Sequence, residues 1–318
     1  MRAVFLDFDT VSHGDIDAGS LAATGVDLQL YGVTSDEELE HRLAPAQILI
    51  TNKIRLDDRR LRIAPELELI CLAATGTDNV DMEAARERGI GVCNIAGYCT
   101  QSVVQHVFAV ILALTHHLNG YQKLLRKGAW RSSPQFCLLD FPIRELSGRT
   151  LGIVGLGELG SAVARVAAAF GMRILVACRP GGDNRDGDRV PLSELLRRSD
   201  IVSLHCPLTE DNRGLIGAPE LAAMKPDALL INTARGALVD SDALAQALRN
   251  GQIAGAGIDV LPQEPPVDGN PLLAEDIPNL IVTPHIAWAA QEARQRAVDE
   301  IASNIASYLA GGRRQRVV

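Results

Sequence analysis

Three polar side chains in the second half of the chain follow segments that read as β-strands. Arg235 lies in INTARG just past ALLINT, Glu264 in LPQEPP past AGAGID, and His285 in VTPH past LIVT. In an open α/β sheet, ligands bind outside the carboxyl ends of the strands, so the three are expected to converge there. Arginine offers a planar fork of N–H donors to a carboxylate and a carbonyl oxygen. Histidine can give that oxygen a proton as a hydride reaches the carbon, and take it back in the reverse direction. A glutamate hydrogen-bonded to a histidine favours the charged ring and fixes its orientation. Together the set suits reduction of a 2-keto acid. Each residue alone has a plainer reading, as a backbone-bonding arginine, a solvated loop acid and a satisfied core histidine. Their shared strand-end placement favours chemistry.

A hydride needs a donor, and GLGELG offers a place to hold one. The segment follows the strand TLGIV and opens a helix. Gly155 permits the tight turn, Gly157 lets the backbone approach a pyrophosphate, and Gly160 lets helix and strand pack closely. Glu158 and Leu159 begin the helix, whose leading N–H groups and positive dipole end face the phosphates. The next strand, RILVAC, is followed by Arg179, roughly twenty residues after the turn, where an acid would bond the ribose of NAD. Arginine there can meet a 2′-phosphate instead. The expectation is NADP preferred, with NAD possible.

The elements that must carry these residues alternate. RAVFLD, AQILIT and LELICLAA read as buried parallel strands, with helices SDEELEHRL and MEAARERG among them. Ser35 and Glu38 fit a capping box. A second series, from TLGIV to LIVTPH, alternates strands and helices again, and a last helix runs from about Gln291 to Leu309. Repeated βα units over 318 residues predict two doubly wound parallel sheets. Between the series, a single long helix is expected from about Gln101 to Lys127, apolar over more than one face. The terminal GRRQRVV reads as a solvated tail. A net charge of −8 argues against nucleic-acid or anionic-membrane partners. The N-terminus lacks a signal-peptide pattern, and no apolar run reaches the roughly 20 residues of a membrane span. The six cysteines form no CxxC and no metal spacing, so free thiols in the cytoplasm and no bound metal are expected.

With those residues in view, the chain resembles the D-isomer-specific 2-hydroxyacid dehydrogenases over nearly its whole length. The carrying segments are ATGTDNVD, GYCTQSVVQHVFAVILAL, LSGRTLGIVGLGELG, SDIVSLHCPLTEDNRGLI, LLINTARGALVD, AGAGIDVLPQEPP and VTPHIAW. HIAWA, SVVQHVFA and FCLLDFP most resemble the glycerate dehydrogenase and hydroxypyruvate reductase branch. The resemblance implies a flavodoxin-like substrate domain, 1–99 completed by 287–318, and a Rossmann cofactor domain, 100–286. It implies that Arg235, Glu264 and His285 are catalytic and that Asp259 holds the nicotinamide carboxamide. Val103, Cys206, Pro207, Thr233 and Ala234 would line the cofactor. Thr75 and Gly76 would bind the substrate carboxylate, and Trp288 would either wall the pocket or pack in the hinge. The implied substrates are small 2-keto and 2-hydroxy acids, and the implied assembly is a homodimer. Gln105, Asn212 and Arg179 depart from common residues of the family, and Lys53, in ITNK, either reaches the substrate from the first domain or, the favoured reading, is a surface lysine.

Two rival readings have sequence support. FLDFDT resembles the DxDxT nucleophile motif of haloacid-dehalogenase-type phosphatases, through Asp7 and Asp9, but without companion motifs. The fold also serves non-catalytic corepressors or sensors, a reading that the intact Arg235, Glu264 and His285 set disfavours.

Overall fold

The computed structural model describes residues 1–178 and 189–318, which form two compact units, Met1–Cys99 with Trp288–Val318, and Thr100–Ala287. Arg179, on which the cofactor preference rests, lies outside the described residues.

The first unit is built on five parallel strands: β1 (Arg2–Phe5), β2 (Asp27–Leu30), β3 (Ile48–Thr51), β4 (Leu69–Leu72) and β5 (Gly91–Cys93). Their order, β2-β1-β3-β4-β5, is that of flavodoxin-like sheets. β3 and β4 are buried at every position, which is why they read as unbroken apolar runs. The helices α1 (Gly19–Ala22), α2 (Asp36–Leu43), α3 (Asp58–Leu61) and α4 (Met82–Glu87) alternate with the strands. α2 starts with the expected capping box, Ser35 and Glu38 satisfying each other's N–H groups. The closing helix, Gln291–Leu309, packs Ala297, Val298, Ile301 and Ile305 into one face of the same core.

The C-terminal tail corrects an expectation. It does not lie in solvent but runs along β5: Val317 N–H donates to the Val92 carbonyl at 2.8 Å, and Val92 N–H to the Val318 carbonyl at 3.2 Å. Arg316 pairs antiparallel with Cys93, and Arg314 bonds Glu300 at 2.7 Å. An edge strand offers a row of unmet N–H and C=O groups, and the tail satisfies them. Gly91 makes this possible, because a Cβ there would fall within 2.0 Å of the Arg316 guanidinium.

The second unit opens with α5 (Thr100–Thr115) and α6 (Leu118–Arg126). This is a second correction, since one continuous helix was expected. The break lies at His117, whose φ of 49° is left-handed. α5 is apolar and packs on the sheet, whereas α6 buries no residue fully. The chain turns where the buried pattern ends. His117 then stacks on Phe141, with ring centroids 5.4 Å apart, and Phe141 packs against Gly120, where a Cβ would come within 2.7 Å of its ring.

The unit continues with β6 (Thr150–Val154), α7 (Glu158–Ala169), β7 (Arg173–Ala177), β8 (Arg189–Val190), α8 (Leu192–Arg198), β9 (Ile201–Leu204), α9 (Ala218–Ala223), β10 (Leu229–Asn232), α10 (Ser241–Arg249), β11 (Gly255–Ile258) and β12 (Leu280–Val282). All are parallel in the order β12-β11-β10-β9-β6-β7-β8, the doubly wound Rossmann arrangement with an added strand. α5 reaches the sheet through Gly257, where a Cβ would lie 2.1 Å from Val110. Both units thus have the predicted fold class.

Candidate active site

Sheet register places the site. Val154, Leu204, Asn232, Ile258 and Val282 form one row across β6, β9, β10, β11 and β12. One residue further on stand Gly155, His205, Thr233, Asp259 and Thr283. The described candidates from Gly155 to His285 hang from this carboxyl edge or just beyond it.

The glycine turn lies where the strand order reverses, between β6 and β9. Gly155 has φ 99°, and a Cβ on it would come within 2.5 Å of the Cys206 backbone nitrogen. A Cβ on Gly160 would sit 2.1 Å from the Gly155 carbonyl oxygen. These two glycines are demanded by the fold itself. Gly157 is different, because a Cβ there would meet nothing within 4 Å. It caps α7 without a side-chain bond, so the leading N–H groups face outward beside an open space. That cradle fits a dinucleotide pyrophosphate. The Thr233 hydroxyl is buried on the same edge with no partner among the described residues, a second sign that a polar ligand belongs there. Cys206 is partly buried, which pushes its thiol above the ordinary range, and the Pro207 carbonyl accepts a bond from Asn212 at 2.8 Å. Glu158 accepts a short hydrogen bond from the Thr100 hydroxyl, and Val103 is buried in α5. Leu159 is half-buried.

The polar set comes together on three neighbouring loops. His285 Nδ1 lies 2.6 Å from Glu264 Oε2, while Glu264 Oε1 accepts the Leu261 N–H at 2.8 Å. Both carboxylate oxygens are engaged, so the histidine ring is held from its Nδ1 edge. His285 itself is left-handed, with φ 55°, a region an L-residue occupies when its surroundings over-determine it. Arg235 stands on the adjoining turn, its guanidinium donating to the Ala234 carbonyl at 2.9 Å. Asn232, which sequence reasoning passed over, builds that turn. It accepts the Ala234 N–H at 3.0 Å and donates to the Arg235 carbonyl at 2.9 Å. The signal was available, since an asparagine ending a strand commonly folds the next two residues about its own side chain.

The Asp259 carboxylate is 2% exposed and accepts the N–H groups of Ile286 and Ala287, both at 2.9 Å, and the Thr283 hydroxyl at 2.5 Å. It thereby ties down the loop that carries His285.

In the first unit, the Thr75 hydroxyl donates to the Ile95 carbonyl at 2.7 Å, and Asn94 donates to the Thr75 carbonyl at 2.8 Å. These bonds hold the backbone ahead of Gly76. Trp288 packs edge-on to Tyr98, centroids 6.3 Å apart, beside the core. Lys53 is exposed, and its N–H donates to Asp7 at 2.8 Å. Asp7 is not displayed as a nucleophile. It is buried, accepts the N–H groups of Asn52 and Lys53 and the Thr51 hydroxyl, and joins β1 to the end of β3. Burial pushes its carboxyl above the usual range in spite of those bonds.

A cavity of about 130 Å³ lies at the opposite, amino end of the second sheet, lined by His117, Arg144, Arg149, Asp200 and Asp227 among others. Its arginines are already paired with Asp227, at 2.7 and 3.5 Å, and nothing there indicates a ligand. The described residues contain no cluster of metal-ligating side chains and no helix long and apolar enough to cross a membrane.

Comparison with known proteins agrees with this geometry. Residues 108–287 match the family model "D-isomer specific 2-hydroxyacid dehydrogenase, NAD binding domain". The chain is 47% identical over 275 residues to the glycerate dehydrogenase of Methylorubrum extorquens, covering 86% of each chain. It is 36% identical over 316 residues to the hydroxypyruvate reductase of Blautia hydrogenotrophica, covering 98% of each. Among solved structures, an acyclic imino acid reductase in complex with NADPH and D-Arg superposes with a TM-score of 0.88 at 28% identity, covering the whole of both chains. A Rossmann edge with its glycine cradle, a histidine–glutamate pair on adjoining loops and matches of this extent place the chain in the D-isomer-specific 2-hydroxyacid dehydrogenase family.

Proposed function

We propose that the chain reduces a small 2-keto acid, hydroxypyruvate or glyoxylate, to the D-2-hydroxy acid, with Arg235, Glu264 and His285 as catalytic residues. The observation that carries the reading is the 2.6 Å bond between His285 Nδ1 and Glu264. It leaves Nε2 as the nitrogen that exchanges a proton with the carbonyl oxygen. Arg235, braced on the Ala234 carbonyl, binds the keto-acid carboxylate with its planar fork. Gly155, Gly157, Gly160 and the start of α7 would hold a nicotinamide dinucleotide, which supplies the hydride. The uncapped N–H groups would orient its pyrophosphate. In the oxidative direction, His285 takes the proton from the hydroxyl. In this reading Thr100–Ala287 is the cofactor domain and the other unit the substrate domain. The size of the substrate is supported by the glycerate dehydrogenase and hydroxypyruvate reductase relatives.

NADPH is the proposed preferred cofactor, with NADH also accepted. Arg179 in place of an acid supports this, as does the NADPH-bound structural neighbour. A homodimer formed through the second unit is proposed from the family together with the exposed apolar side chains beyond α6. Trp130 is 54%, Phe136 89% and Leu139 78% exposed, apolar side chains close in sequence that a partner surface would cover. A cytoplasmic location is proposed from six free cysteines.

Initial rates on hydroxypyruvate, glyoxylate, pyruvate and phenylpyruvate, each with NADH and NADPH, test the reading. Hydroxypyruvate or glyoxylate with NADPH is expected to give the highest kcat/KM. No turnover of any 2-keto acid would overturn the activity. A preference for phenylpyruvate would overturn the substrate size, and equal or better kcat/KM with NADH would overturn the cofactor preference.

A further inference from the structure

We infer that His106 is a positioning residue for this reaction, acting through Thr283 and Asp259 on the loop that presents His285. The inference rests on the reading of His285 as the proton donor.

His106 lies on the sheet-facing side of α5, with its side chain 16% exposed. Its Nε2 is 3.1 Å from the Thr283 hydroxyl oxygen. That hydroxyl donates its single hydrogen to Asp259 Oδ1 at 2.5 Å. Thr283 therefore has only lone pairs to offer His106, so Nε2 carries the hydrogen and donates it. The result is a directed chain, His106 N–H to Thr283 O–H to the Asp259 carboxylate, with His106 Nε2 itself 3.7 Å from Oδ1.

Asp259 is the anchor of the loop. Its carbonyl accepts the His285 N–H at 2.7 Å, and its carboxylate accepts the next two N–H groups, of Ile286 and Ala287. His285 thus sits, in a left-handed conformation, between two bonds to one residue. A carboxylate accepting two N–H groups can still pivot about its own bonds. The Thr283 hydroxyl, oriented by His106, pins the oxygen that also receives Ile286. Glu264 then holds the ring of a residue whose backbone is already fixed. Misplacing a proton donor by about 1 Å costs on the order of 10²-fold in rate, so a group that never meets substrate can control kcat.

Three single variants and the His106→Phe, Thr283→Val double test this, each with kcat, substrate KM and thermal unfolding measured on the full chain. His106→Phe keeps a ring but removes the donor, and is expected to lower kcat about 10-fold or more with KM within about threefold. His106→Gln places an amide N–H near the Nε2 position and is expected to recover most of the lost kcat. Thr283→Val, nearly isosteric, breaks the same chain one link further on. It is expected to match His106→Phe, and the double variant is expected to be no worse than either single one, as for residues acting as a unit. A kcat in His106→Phe within twofold of wild type overturns the inference. So does a folded His106→Gln no better than His106→Phe, or full additivity in the double variant. His285→Ala, run alongside, separates the two levels. Wild-type turnover there removes the reading on which the inference rests. An inactive His285→Ala beside an unaffected His106→Phe removes the inference alone.

Discussion

At the scale of single residues, two histidines in this chain are held for opposite ends. His285 is partly exposed and bonded to a carboxylate, an environment suited to proton exchange. Replacing it with alanine should lower kcat about 10²-fold or more, the usual contribution of a general acid. Steady-state rates on the preferred keto acid check this, and a near-wild-type kcat takes His285 out of its role. Glu264→Gln keeps a bond to the ring but loses the charge, and is expected to cost less than His285→Ala. His205 is half-buried just past β9, with Nε2 2.8 Å from the Ser203 hydroxyl, and desolvation of the ring pushes its imidazole down to about 4. An unfolded histidine titrates near pH 6.5. Between roughly pH 6.5 and 4, the unfolded chain therefore binds a proton that the folded chain refuses. Stability is whole above 6.5 and falls through this window, by on the order of 3 kcal/mol once below 4. Urea midpoints measured across the window should fall for wild type and flatten in His205→Gln. Parallel curves would show that His205 is not the group responsible.

At the scale of elements, the glycine turn separates what the fold needs from what a ligand needs. Gly155→Ala places a methyl against the Cys206 backbone at positive φ, so it should destabilise the protein by about 1–3 kcal/mol, as overpacking does. Gly157→Ala points its methyl into open space and should change stability by less than about 0.5 kcal/mol. On the proposed cofactor seat it should nonetheless weaken NADPH, because a pyrophosphate would approach there. Thermal melts paired with a fluorescence titration of NADPH distinguish the two. Equal destabilisation by both variants would mean that the turn is shaped by packing alone. The same scale accounts for the break after α5. A helix stays continuous while its apolar face has a core to bury, and that face ends at Leu114 and Thr115.

At the scale of the whole molecule, the first unit is closed by its last residues. The tail completes β5, and the helix before it fills one face of the core. Deleting residues 314–318 should therefore lower the unfolding temperature, at roughly 1 kcal/mol for each backbone bond lost. An unchanged melt would return the tail to solvent. Among the described residues of the second unit, the most exposed large apolar side chains, Phe136 and Leu139, follow α6, and on the proposed dimer Phe136→Asp should shift the protein toward monomer in sedimentation velocity. A dimer unaffected by that change would place the interface elsewhere.

Much of this was legible in the chain. The strand–helix alternation, the capping box at Ser35 and the closing helix at Gln291–Leu309 follow from local periodicity and caps, which act over a few residues. The catalytic candidates were legible because strand ends in one doubly wound sheet are bound to share an edge. Tertiary structure alone decided the contacts between residues far apart in sequence. The row from Val154 to Val282 depends on register, and the course of the tail depends on an edge strand more than 200 residues earlier needing partners. The His106–Thr283–Asp259 chain depends on α5 lying over β11 and β12. Local sequence sets which elements form. The hydrogen-bonding groups left over when those elements pack decide what each polar residue does.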